Sequence, residues 1–315
     1  MIKIIVFVFL LFANLNAKTI KPNFILSSKG FVNDFVISNE KIYIANDEGS
    51  VEVFDLVSKK IINEIFIDPV FTAKQEWINA KILSVDVNKN KILIVSSNNT
   101  PYRDVWIYDG NNLKKIINQK KKLAIKEARF TSEGKILFAT LGYEMILYNQ
   151  KDDYNSYKTQ MEQSSFEDVV LSKDKTKMVS SSESGQIILS DIKSGNIIKK
   201  FKPLNLDKVY QVDYQNGVII TGGQDRRVGI YPKNAKPYYL KSTFLVYSVA
   251  LSPSGKLGVY SSGDDSSLQL FDVNTQKKLD IFKGHYAIPT TIKFYNEKGF
   301  FSAGYENKIF YWKID

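Results

Sequence analysis

The chain contains no cysteine and a single histidine, His285. Without thiols there is no disulfide, no thiolate metal site and no cysteine nucleophile. One imidazole cannot build the ligand clusters of copper, haem or zinc centres, so no metal or cofactor is expected. A Ser-His-Asp triad would have to recruit His285. Long apolar runs are missing as well. The one near the N-terminus, Ile4 to Ala13, is about ten residues, against the roughly 20 that span a bilayer.

That run follows Lys3 and gives way to a polar stretch closing on Ala17 before Lys18. This is the layout of a secretory signal peptide cleaved after Ala17, and it predicts a periplasmic protein with no stable membrane anchor. No cysteine near the cleavage point is there to carry a lipid. The formal charge of +10 falls by one when Lys3 leaves. In an exported protein so basic a balance does not point to nucleic acid; it reads as a solvated surface or as attraction to acidic proteins or anionic headgroups.

What the chain does have is a repeat. Seven apolar strands end at Asp55, Asp109, Asn149, Asp191, Pro232, Asp272 and Lys313, and their last residues differ by 54, 40, 42, 41, 40 and 41. Each is preceded by a strand alternating at period two, such as VNDFVI at 32–37 and VYQVDY at 209–214, then a tight polar turn and a second strand. The turns SNEK, NKNK, SEGK, KDKT, QNG, PSGK and NEKG carry residues that tolerate left-handed backbone. A period of roughly 40 to 45 residues built from short strands predicts an all-β, seven-bladed propeller. With no linker to interrupt the repeat, residues 18–315 read as one domain.

The pattern resembles the WD40 family over nearly the whole mature chain. In that family an acidic residue stands seven positions before the strand's last residue, and Asp225 and Asp265 fit. Glu48, Tyr102, Gly142, Ser184 and Glu306 hold the same place elsewhere, and only Trp312 supplies the namesake Trp, followed by Lys313. The last repeat stops at its third strand, while residues 21–28 offer one strand to spare. The resemblance implies that this N-terminal strand completes blade seven and closes the ring, which removes open edges. It also implies a structural network of His285, Ser302, Glu306 and Trp312 in blade seven.

Catalytic signatures are weak. Paired carboxylates would suffice for glycoside hydrolysis, but the acidic residues fall mostly in turns and strand ends. Gly222 to Arg227, GGQDRR, precedes a strand rather than the helix N-terminus a phosphate loop needs.

Binding signals are clearer. The first interval is about 13 residues longer than the rest, through the insertion DPVFTAKQEWINA. It brings Phe71, Lys74 and Trp77 to the face that also receives Tyr102 and Arg103, Lys120, Lys121 and Lys122, and Arg226 and Arg227. Exposed Trp, Tyr and Arg are interface types on loops held by a rigid scaffold. The alternative is that Phe71 and Trp77 fold back over the blade edges. The chain therefore reads as a monomeric, non-catalytic interaction scaffold, or else as an enzyme or small-molecule or anion binder using the central channel. At whole-chain level it is similar to accessory proteins of the periplasmic nitrate reductase system. That similarity implies nitrate reductase subunits or their electron-transfer proteins as partners.

Overall fold

Strands that bury one face must be covered on it, and seven of these sheets cover one another in a ring. The computed structural model describes residues 18–314, so the expected signal peptide lies outside the described residues. Blade 3 shows the plan: Ile125–Phe130, Ile136–Thr140, Glu144–Asn149 and Tyr154–Gln160 pair in that order as an antiparallel sheet, from the channel outward. Blades 1, 2, 4, 5 and 6 repeat it over residues 32–66, 82–117, 166–201, 209–241 and 249–282. The tight turns do what their composition demands. Asn39 and Glu40, and likewise Asn216 and Gly217, are all at positive φ, as a two-residue type I′ hairpin requires.

Blade 7 takes only three strands from the C-terminal repeat, Pro289–Asn296, Gly299–Gly304 and Lys308–Lys313. Its fourth is Phe24–Ser27, antiparallel to Lys308–Lys313 with Leu26 opposite Ile309. The ring is therefore closed by the N-terminal segment. One pairing has no counterpart in the sequence reading: Thr19–Ile20 runs parallel to Lys278–Phe282 and gives blade 6 a fifth strand. The inner strand of blade 6 is also shorter than its alternation suggests, Val249–Leu251. The N–H groups of Tyr247 and Ser248 bond to Ser261 Oγ instead of joining the ladder.

The core lies between blades. Val51, Val53 and Ile65 of blade 1 pack on Ile82, Val85 and Ile94 of blade 2. Leu26, Phe301 and Ile309 pack on Phe35 and Ile44 across the closing seam. Among the described residues the one helical element is a 3-10 turn, Gln119–Lys121, and no helix is long and apolar enough to cross a membrane.

Candidate functional site

The inserted segment forms a hairpin at the rim. Val70–Phe71 pairs with Trp77–Ile78, setting Phe71 directly opposite Trp77 with ring centroids 5.2 Å apart. Cross-strand aromatic pairs of this kind stabilise a short hairpin. Asn99 Nδ2 donates to the Phe71 carbonyl at 3.1 Å and ties the hairpin to the extended turn of blade 2. Neither ring enters the core. Phe71 is 44% and Trp77 70% exposed, above a groove of about 370 Å³ that Asn98, Asn118 and Lys120 also line.

The remaining residues expected on this face do not form one surface. Lys74 is exposed at the hairpin tip, and Tyr102 is half-buried. Arg103 turns inward and lines the central channel, its Nη1 donating to the Pro101 and Tyr102 carbonyls at 2.7 and 3.0 Å. Lys121 pairs with Asp153 at 3.1 Å, and Lys122 ends the 3-10 turn in a left-handed conformation. Arg226 sits at positive φ in the blade 5 turn. Arg227 is committed to the scaffold: it donates to the Leu204 carbonyl, approaches Asp225 to 3.5 Å and stacks on Tyr239.

The channel, of about 950 Å³, holds groups that the strand pattern did not single out. An innermost strand has no neighbour on its channel side, so some of its N–H groups need other partners. They find them one blade back. Asp34 accepts from Val85 N at 3.2 Å, Asp86 from Phe130 N at 2.6 Å, Asp168 from Val212 N at 2.8 Å and Asp213 from Leu251 N at 2.8 Å. Ser248 Oγ donates to the Pro289 carbonyl, and Lys293 Nζ donates to the Phe35 carbonyl and to Asp34. Between blades 3 and 4 an ion pair, Lys126 to Glu167 at 3.0 Å, takes the place of such a bond. Inter-blade polar contacts thus circle the channel.

These carboxyls differ in charge state because their surroundings differ. Burial works against ionised Asp34, but Lys293 and then Arg129 outweigh it and hold this carboxyl below its ordinary range. Burial, reinforced by the Asp168 charge, pushes Glu127 well above the carboxylate range even with Arg129 2.7 Å away. Burial likewise raises Asp168, and it raises Asp213 to about 6.

A raised carboxyl pKa means that the folded state holds more protons than the unfolded one. The associated stability is full below the unfolded Asp value of 3.8 and is lost as pH rises through about 6. Thermal unfolding should therefore show the melting temperature climbing as pH falls from 7.5 to 5, before the paired carboxylates protonate. Asp213→Asn should flatten that slope, by an amount on the order of 1–2 kcal/mol once channel water is allowed for. A wild-type melting temperature that falls steadily from pH 7.5 to 5 would contradict the assignment.

In blade 7, His285 is buried between Glu306 and Ser302. Its Nδ1 bonds to Glu306 Oε1, and its Nε2 lies 2.6 Å from Ser302 Oγ. Ser302 Oγ accepts from Trp312 Nε1 at 2.6 Å. The contacts form one chain, from the indole N–H through the serine hydroxyl and the imidazole to the Glu306 carboxyl group. Blade 5 holds a variant that the sequence reading did not single out. Asn205 stands where His285 does, bonded to Asp225 at 3.0 Å and to Thr221 at 2.6 Å. With its only imidazole in this network, the protein has no free histidine for acid–base work.

Comparisons with known proteins bear on the fold. The family described as WD domain, G-beta repeat matches residues 239–272, the span from the outer strand of blade 5 through the third strand of blade 6. No curated protein matches the sequence. Among solved structures, the β-propeller domain of Cps50 (Swd1) from Myceliophteria thermophila is similar in fold. The TM-score is 0.74 at 11% identity, covering 93% of this chain and 99% of that one. With this architecture and this structural likeness, the chain is an all-β, seven-bladed propeller, and one repeat, across blades 5 and 6, matches the WD domain, G-beta repeat model.

Proposed function

We propose that the protein is a non-catalytic docking scaffold of the periplasm that serves the nitrate reductase system, as its whole-chain resemblance to NapL implies. The observation that carries the docking role is the rim hairpin. It is the one long insertion in the ring, it is fixed to blade 2, and it holds Phe71 and Trp77 in the open beside a groove. Large exposed aromatics on a rigid support bind partners at low entropic cost. The layout of residues 1–17 supports export, and WD40-type propellers are in general interaction platforms. Nitrate reductase subunits or their electron-transfer proteins are the partners this reading names.

The test is recovery of the tagged protein from the periplasm of nitrate-grown cells, followed by mass spectrometry. Nitrate reductase subunits or their electron donors should co-purify. Phe71→Ala with Trp77→Ala should lower that recovery at least about tenfold, the loss of a hot-spot pair. The melting temperature should stay within a few degrees, because the hairpin lies outside the core. Undiminished recovery from the double variant would remove the hairpin from the interface, and recovery of an unrelated complex would remove the nitrate pathway.

A further inference from the structure

The channel opens on the loop-rich face through a mouth made of two unlike arcs. On one side Lys81, Arg103 and Lys126 line the cavity. Glu167 stands among them, 3.0 Å from Lys126 Nζ and 2.7 Å from Lys208 Nζ. Two cations thus share Glu167, and among the described residues Lys81 and Arg103 form no ion pair, while Asp47 lines the cavity beside Phe31. Arg103 is half-buried, and its guanidinium bonds only to the carbonyls of its own turn. Among the described residues no carboxylate pairs with it, and burial lowers its pKa. A guanidinium in that position is stabilised by an anion brought from outside.

The opposite arc is aromatic. Phe31, Tyr210, Tyr247 and Tyr305 line the same mouth. Tyr210 and Tyr247 stack with centroids 4.7 Å apart, while Phe31 and Tyr305 are 55% and 65% exposed. Open aromatic faces of this size mark a contact surface.

Deeper in, carboxyl groups outnumber cations. Asp34, Asp86, Glu127, Asp168 and Asp213 face the channel, with Arg129 and Lys293 as the cations among them. The cations there are already engaged, Arg129 with Glu127 and Lys293 with Asp34, so an anion held at the mouth gains no further pairing below it. Among the described residues the acidic groups do not converge on a metal-holding geometry.

We propose that this mouth binds an extended acidic segment of a partner polypeptide, which lies across the opening and does not thread the channel. Its carboxylates sit over the Arg103 arc, and its apolar or aromatic side chains rest on the tyrosine arc. The proposal rests on the docking role above and adds the chemistry of the partner. A small anion would engage half of the mouth, and a basic segment would leave Arg103 unmatched.

The test pans a random dodecapeptide phage library against the purified protein, then titrates one enriched peptide, fluorescently labelled, by anisotropy. Enriched sequences should combine Asp or Glu with an aromatic or aliphatic residue, and affinity should fall as salt is raised. Arg103→Glu and Tyr247→Ala should each weaken binding at least about tenfold, as at interface hot spots. Lys175→Glu, at the far end of the channel, should leave binding unchanged. Lys81→Glu should weaken it as well; Lys81 is exposed, its backbone carbonyl bond to Ser97 N is kept by any side chain, and among the described residues its side chain makes no hydrogen bond or ion pair, so this variant reports even where Arg103→Glu fails to fold.

Enrichment without acidic residues would overturn the proposal, as would a Lys81→Glu protein that binds normally. Citrate displacing the peptide at equal concentration would make the mouth a small-anion site and would also overturn it. Normal partner recovery from an Arg103→Glu, Lys81→Glu double variant would sink this proposal and leave the docking role standing. Peptide binding at the mouth with no nitrate reductase partner recovered would do the reverse.

Discussion

Leu26→Asp should open the ring. Leu26 sits in the closing strand, 4% exposed, opposite Ile309 and within the cluster that joins blades 7 and 1. An aspartate there either buries an unmatched charge or detaches Phe24–Ser27 from blade 7. The first costs several kcal/mol, and the second exposes the edge of Lys308–Lys313 along with the apolar cluster around Phe301. A loss of at least about 4 kcal/mol is expected, which for a domain of this size lowers the melting temperature by roughly 8–16 °C. Because the ring is a closed array, unfolding should also become less cooperative, with a reduced denaturant slope. Calorimetry alongside a urea titration checks both, with Ile25→Asp as control, since Ile25 is exposed in the same strand. A Leu26→Asp protein as stable as the control would show that the closing strand does not hold the ring.

That strand was legible in advance because a covalent pattern marks it: the last repeat lacks a fourth strand, and residues 21–28 supply one. Thr19–Ile20 was not legible. Two residues carry no alternation, and their parallel partner, Lys278–Phe282, is some 260 positions away. The interval lengths showed where the rim hairpin would lie, since an insertion shifts every later repeat equally. They did not show that Arg103 would turn from the rim into the channel, because its partners are the carbonyls of its own turn. The channel aspartates escaped for a related reason. Asp34, Asp86, Asp168 and Asp213 occupy the polar half of an alternating strand, which reads as the solvated half. Their partners are backbone N–H groups one repeat further on, and no side-chain pattern records an N–H left over by a strand with no inner neighbour. The aromatic arc of the mouth is drawn from four blades, so its members come together only once the ring closes.

His285→Ala should be among the most damaging single substitutions outside the closing strand. His285, Ser302, Glu306 and Trp312 are all buried, and Glu306 Oε2 already has no hydrogen-bond partner among the described residues. Removing the imidazole strands the other carboxylate oxygen, leaves Ser302 with Trp312 alone, and empties the space beside the stacked Phe310 and Trp312 rings, which the imidazole fills at centroid distances of 4.1 and 5.9 Å. A buried carboxylate that loses its partner costs about 3–5 kcal/mol, with a cavity cost added. Ser302→Ala should cost less, about 2–3 kcal/mol, because the groups it leaves unmatched are neutral. The pairing can be separated from the packing. His285→Ala combined with Glu306→Leu should be less destabilised than His285→Ala alone, since no carboxylate remains to be stranded and the leucine restores apolar volume beside Phe310. Urea titrations of the three variants, with intrinsic fluorescence of the buried Trp312 as reporter, give the comparison. If the double variant is no better than His285→Ala, the cost lies in the lost packing, and the histidine in this blade acts as a spacer rather than as the link between a carboxylate and an indole.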